Sequence, residues 1–343
     1  MTPAACTPRT GADNDSPAVV AVLSEFALID RFFRRPARHA VLGVGDDAAL
    51  LAPAPGCELA VSVDMLVAGR HFFADVDPEA LGYKALAVNL SDMAAMGATP
   101  RWALLAGALP DADAAWLAAF ARGFFALADA FSVDLVGGDT TQGPLNLCVT
   151  ILGEVPAGQA LRRSGAQPGD AIFVSGRLGD AALALAHRRG QIALTAVEFA
   201  ACNRALLRPA PRVLLGERLR GTATSAIDVS DGLVGDLGHL LDASGVGATV
   251  ELAALPRSPT LGRFLAGSER ARALACLLAG GDDYELCFTA PARSAAQLDA
   301  LAAELDVPLV RIGRIEPRAG LAVLDEDGRA LAQLPAAFDH FRG

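Results

Sequence analysis

The sequence predicts an α+β fold in two domains. Three observations carry that expectation. The chain has 343 residues, enough for two domains of ordinary size. Strand and helix signals alternate through both halves, and the strands read as mixed or antiparallel sheets with helices on one face. Between the halves, the stretch EVPAGQALRRSGAQPGD (154–170) is turn-rich and breaks the pattern. At 52% hydrophobic and 20% charged, the composition supports a large core in each half.

Taken in order, residues 1–23 are rich in Ala, Thr, Pro and Asp and read as a disordered tail. A secretory leader needs basic residues ahead of its apolar stretch, and Asp13 and Asp15 stand there instead. SEFALIDRFFRR (24–35) predicts a short amphipathic helix. Strands follow near 41–45, 58–64, 101–109, 133–137 and 146–155, with helices near 78–97 and 111–131. These make an N-terminal domain over 24–155. The second domain, 156–343, restarts with a strand at 171–175 and a helix at 179–190. A helical stretch covers 195–220. Strands are then expected near 224–228, 248–252, 284–289, 309–313 and 321–325, and a helix opens at Asp231.

Several function classes are excluded by composition. A net charge of −10 with no Lys/Arg run argues against a nucleic-acid face. Lys84 is the only lysine, and its neighbours do not form the Gly-x-x-x-x-Gly-Lys-Ser/Thr phosphate loop. Gly43-Val44-Gly45 lacks the third glycine of a dinucleotide fingerprint. The six cysteines are scattered with no C-x-x-C, which suggests no zinc site or disulfide framework and fits a reducing cytoplasm. No apolar run reaches the length of a membrane span.

What remains is a recurring aspartate. It stands where apolar segments run out: VLGVGDDAALL (Asp46, Asp47), ELAVSVDM (Asp64), ALAVNLSDMAAMG (Asp92), VDLVGGDTT (Asp139), TSAIDVSDGL (Asp228, Asp231) and LAGGDDYEL (Asp282, Asp283). Two carboxylates about 4 Å apart repel by roughly 4 kcal/mol at an effective dielectric of 20. A converging set therefore needs divalent cations, and oxygen-only ligands suit magnesium. Asp92 is the sharpest case, because an unpaired charge inside an apolar helix is costly. It shares a helical face with Lys84 and Val88, but two turns separate it from Lys84, too far for direct contact. Ser62 and Asp64 share one strand face by the period of two. In GGDTT the glycines allow close backbone approach. In DVSDGL a plain reading makes Ser230 a helix N-cap and Asp231 a first-turn acid. Such an N-terminus also binds phosphate. His71, close after Asp64, is the histidine placed near a site. With few bases present, the chemistry suits a nucleophile already anionic, such as a substrate phosphate, whose second pKa is about 6.

Together the motifs resemble the thiamine-monophosphate kinase family. GVGDDAALL, SVDMLVAGRHF, YKALAVNLSDMAAMGATPRWALL, GGDTTQGP, SAIDVSDGLVGDLGHLL and GGDDYELCF occur in that order, and the resemblance covers residues 24–343. It implies the two-domain fold of the aminoimidazole ribonucleotide synthetase type and a homodimer through the N-terminal domains. It implies ATP-dependent phosphorylation of thiamine monophosphate to thiamine diphosphate, with ATP as co-substrate and several magnesium ions. The implied metal ligands are Asp47, Ser62, Val63 (through its carbonyl only), Asp64, Asp92, Asp139, Asp228 and Asp231. Gly138, Asp139, Arg163 and Ser230 would contact ATP; His71, Asp282 and Phe338 would face thiamine. Asp64, Asp139 and Arg163 are the implied catalytic residues. Three positions depart from the family: Val63 where a hydroxyl is frequent, Asp282 where Glu is common, and Pro335 where an aromatic can occur. Competing readings are a superfamily enzyme with another acceptor and a non-catalytic magnesium or nucleotide module. A selenophosphate synthetase would carry a reactive Cys with a Lys partner, and Cys6 has no lysine near it.

Overall fold

The computed structural model describes residues 24–336. The expected tail and Phe338 lie outside the described residues. The chain opens with α1 (Glu25–Phe32), capped by the Ser24 hydroxyl, which accepts from Ala27 N at 3.3 Å. The N-terminal half continues with β1 (Ala40–Leu42), β2 (Leu50–Leu51), β3 (Cys57–Val67), α2 (Pro78–Ala95), β4 (Thr99–Leu109), α3 (Ala114–Ala130), β5 (Asp134–Gln142) and β6 (Asn146–Pro156). The second half runs β7 (Ala171–Ser175), α4 (Asp180–Arg188), α5 (Ala196–Leu207), α6 (Val213–Leu219), β8 (Ser225–Asp228), α7 (Leu233–Ser244) and β9 (Gly247–Glu251). It ends with α8 (Pro259–Leu265), α9 (Arg270–Ala279), β10 (Leu286–Ala290), α10 (Ala295–Leu305), β11 (Leu309–Glu316) and β12 (Gly320–Leu324).

Both main sheets are mixed. The first has the order β3-β6-β4-β5, with β4 and β5 parallel and the other pairs antiparallel. The second has the order β12-β9-β11-β7-β10-β8, where β9 and β12 pair in parallel. The strand period of two sorts β3 cleanly. Ala60 and Leu66 are buried with Ser62 and Asp64 on their face, while Leu59, Val61, Val63 and Met65 are exposed on the other. Helix α2 starts at an Asp77 cap, whose carboxylate accepts from Ala80 N, with proline in its first turn. It is buried on nearly every side: α3 packs on it, as do α6 and β8 from the second half.

One core joins the halves. Phe173 and Phe288 of the six-stranded sheet stack at 5.4 Å and bury with Leu86 and Leu90 of α2 in a single cluster. The opposite face of that sheet, with Ile172, Val174, Ile227 and Cys287, packs against α4, α7 and α9 in a second cluster. Every expected strand is present. Two boundaries differ in ways that matter: β5 runs on through Gly137-Gly138-Asp139 to Gln142, and α7 starts at Leu233 with Gly232 as its cap, so Ser230 is not the N-cap. Helices α8, α9 and α10 went unforeseen.

Candidate active site

A cavity of about 440 Å³ opens between the halves. Strand β3 brings Asp64 to it, α2 brings Lys84 and Asp92, the end of β8 brings Asp228, and the following loop brings Ser230 and Asp231. His71 and Asp282 line the same space. Seven of the expected site residues therefore meet here. Asp64 and Asp139 are mid-strand rather than at strand ends, and Asp92 lies in the last turn of α2.

The acidic side chains are held by hydroxyls. Ser62 Oγ donates to Asp92 Oδ2 at 2.5 Å, and Ser91 Oγ donates to Asp228 Oδ2 at 2.7 Å. Burial, then the neighbouring charges of Asp92, Asp228 and Asp231, pushes Asp64 up to about 7. Burial and Asp92 push Asp228 up to about 6. Burial also raises Asp92, and Arg163 stands close enough to oppose the rise at both Asp92 and Asp228. Asp64 and Asp228, raised by neighbouring carboxylates, stand where positive charge is short, and an all-oxygen set suits magnesium. Among the described residues no three Asp, Glu, His or Cys side chains stand together as a ready metal cage. Magnesium is ordinarily held by one or two carboxylates with waters and substrate phosphates completing its shell.

Three further expected residues, Asp47, Gly138 and Asp139, line a second cavity of about 490 Å³ with Phe33, Trp116 and Leu147, while Ser62 lines neither cavity and reaches the site through Asp92. Gly138 is needed for packing: its φ is +156°, and an added Cβ would lie 1.8 Å from Leu105 O of β4. The close approach its missing side chain permits is to the next strand. Val63 points its side chain away from both cavities, 58% exposed on the outer face of β3. Arg163 is exposed and lines neither cavity, acting through its charge.

Three features were missed. Lys84 Nζ donates to Asp282 Oδ1 at 2.7 Å across the two halves; its being the single lysine was the available signal. Asp236 Oδ2 accepts from Ser230 N, Asp231 N and Gly232 N, each at 3.0 Å, so these amides are not offered to a phosphate. The GGDDYEL loop is stitched to the DVSDG loop, Asp282 N donating to Ser230 O and Tyr284 N to Val229 O, both at 2.8 Å. Asp282 and Tyr284 take left-handed backbone angles, φ 61° and 51°, a strain that collects at functional sites. His71 Nδ1 accepts from Val67 N at 3.0 Å, which fixes the ring beside the end of β3.

Family models for AIR synthase related proteins match the chain in two parts, the N-terminal domain over residues 45–155 and the C-terminal domain over 167–326. Thiamine-monophosphate kinase of Escherichia coli (strain K12) is 47% identical over 322 residues, covering 92% of this chain and 98% of that protein. A crystal structure of thiamine-monophosphate kinase from Stenotrophomonas maltophilia K279a superposes with a TM-score of 0.80 at 50% identity, covering 90% of this chain and 98% of that one. AaThiL complexed with AMPPCP and TMP superposes with a TM-score of 0.72 at 29% identity, covering 93% of this chain and 97% of that one. With two-part family matches, and identity near one half sustained over nine-tenths of both chains, this chain belongs to the thiamine-monophosphate kinase family of AIR synthase related proteins.

Proposed function

We propose that the protein transfers the γ-phosphoryl group of ATP to the phosphate of thiamine monophosphate, giving thiamine diphosphate and ADP. One observation carries the reading: the interdomain cavity joins Asp64, Asp92, Asp228 and Asp231 to His71 and Asp282. The related AaThiL was solved with AMPPCP and TMP, which supports the same pair of substrates here. An oxygen of the acceptor phosphate attacks the γ-phosphorus in line, and the bond to the β–γ bridging oxygen breaks. That acceptor is already anionic near neutral pH, so the chain needs no general base. Arg163, the cation beside Asp92 and Asp228, spreads the charge that develops on the transferred group.

Asp64, Asp92, Asp228 and Asp231 would hold magnesium, with Asp47, Ser62, Asp139 and the Val63 carbonyl completing the assigned set. Bound there, magnesium supplies the counter-charge that brings phosphates among carboxylates. The base and sugar of ATP fit the second, largely apolar cavity beside Gly138 and Asp139, and Ser230 contacts the phosphates. His71 and Asp282 face the thiamine moiety, with Phe338 beyond the described residues as its aromatic wall. We place the protein in the cytoplasm as a homodimer, formed through the exposed face of β3. Among the described residues no helix is long and apolar enough to cross a membrane.

The test is product identification. Purified protein with ATP, magnesium and thiamine monophosphate should yield thiamine diphosphate and ADP in equal amounts, and EDTA should abolish both. Asp64→Asn and Asp139→Asn should each lower turnover about a hundredfold or more. Unchanged turnover in either variant overturns that metal assignment; absence of thiamine diphosphate from the wild type overturns the function.

A further inference from the structure

We propose that Lys84 holds the phosphate group of the acceptor substrate, in competition with Asp282 for its ammonium group. The inference rests on the phosphoryl-transfer reading above and adds a residue to it. Lys84 is the one lysine among 29 basic residues, and it is 2% exposed at the wall of the interdomain cavity. A buried ammonium is tolerated only when its donors are used. Lys84 has three N–H donors, and its hydrogen-bond partner among the described residues is Asp282 Oδ1, at 2.7 Å. The other two donors have no partner among the described residues, and the side chain lines the cavity. A phosphate monoester, with three terminal oxygens, uses them as no single carboxylate on this wall does.

The surroundings explain why such a cation is needed. Five carboxylates, those of Asp64, Asp92, Asp228, Asp231 and Asp282, line the cavity and would repel an incoming phosphate dianion. Arg188 is committed elsewhere: it pairs with Asp75, and its guanidinium lies 3.9 Å over the Phe73 ring. Arg70 and Arg189 also line the cavity but are exposed, whereas Lys84 is buried inside it. The Asp282 side chain, one methylene shorter than glutamate, starts from a left-handed backbone and ends on Lys84. Its carboxylate and a substrate phosphate compete for the same ammonium group. On binding, Lys84 grips one phosphate oxygen while another attacks; Lys84 transfers no proton and forms no covalent bond.

Two measurements on the full chain decide it. The first is calorimetric titration with thiamine monophosphate of the wild type, Lys84→Met and Lys84→Arg. Lys84→Met should weaken binding about tenfold or more, with Lys84→Arg recovering part of the loss. Equal affinity for wild type and Lys84→Met overturns the inference. The second needs no variant. Protein labelled with 15N-lysine carries one side-chain ammonium resonance, which thiamine monophosphate should shift and unphosphorylated thiamine should leave in place. An ammonium signal indifferent to thiamine monophosphate, or one shifted equally by thiamine, also overturns it. If the wild type forms thiamine diphosphate while either overturning result holds, only the Lys84 assignment falls. If the wild type neither binds nor phosphorylates thiamine monophosphate, both readings fall.

Discussion

Asp236 Oδ2 gathers the amides of Ser230, Asp231 and Gly232, each at 3.0 Å, and so fixes the loop that presents Asp228 and Asp231. Burial and the Asp228 charge raise the Asp236 carboxyl to about 7 against the pull of those amides. Asp236→Ala would leave three amides without their acceptor. The expected loss is about 3 kcal/mol of stability, with turnover falling as well; Asp236→Asn keeps an acceptor and should lose less. Urea unfolding beside a turnover assay checks this, and an alanine variant matching the wild type in both would sink it. The loop itself was legible as a ligand-bearing turn, because acids and hydroxyls at a strand end are visible in sequence. Asp236 was not, since nothing in its spacing says that a helical side chain folds back over the helix's own start. The cysteines allow a second prediction at this scale. Burial pushes Cys202 and Cys287 up to about 12 and Cys276 up to about 11. At pH 8 these groups are thiols, and the thiolate is the reactive form. Iodoacetamide should leave all three unmodified in the native protein at pH 8 and label them once it is unfolded. Peptide mass spectrometry reads the outcome, and rapid native labelling of any of the three would contradict the burial argument.

Helices α2 and α3 cross at two glycines. A Cβ on Gly82 would lie 2.0 Å from Phe120 O, and one on Gly123 would lie 1.8 Å from Glu79 O. Those neighbours are backbone atoms and cannot swing aside, so the helix axes must separate. Gly82→Ala or Gly123→Ala should therefore cost about 3 kcal/mol or more, at or beyond the upper end of ordinary overpacking. Gly238 in α7 is the control: an added Cβ meets nothing within 4 Å. There the alanine gains helix propensity, and Gly238→Ala should stabilise by about 0.5–1 kcal/mol. Thermal melts of the three variants test the pair of signs together; a destabilised Gly238→Ala, or a neutral Gly82→Ala, would contradict it. At this scale the sequence spoke clearly for the strands, whose apolar runs end in glycine or aspartate. It spoke weakly for α9, where RARALACLLA carries little polar–apolar contrast. The extension of β5 through Gly137-Gly138-Asp139 was hidden because two glycines read as a turn, whereas here Gly138 lets β5 lie against β4.

At the scale of the whole molecule, the outer face of β3 carries a run of exposed apolar side chains among the described residues. The four-stranded sheet is covered by α2 and α3 on its inner face, and β3 is one of its edges. On the outer side β3 exposes Leu59 at 45%, Val61 at 60%, Val63 at 58% and Met65 at 53%. A flat apolar edge strand in water is an invitation to pairing, and stable folds either break it with charge or cover it. No charged side chain interrupts these four positions. A second copy placing the same face against it would cover both stripes by one twofold contact, as self-complementary interfaces do. This also accounts for valine at position 63: its side chain belongs to the outer stripe, and any metal contact there falls to the backbone. The double variant Val61→Lys, Val63→Lys introduces four like charges into such a twofold interface, two from each copy, with desolvation of each ammonium added to their repulsion. Light scattering coupled to gel filtration should give a dimeric mass for the wild type and a monomeric mass for the double variant. Both substitutions sit on exposed positions, so the folded monomer should keep its helical circular dichroism. A monomeric wild type, or a double variant that stays dimeric, would show that the β3 face is not where two copies meet.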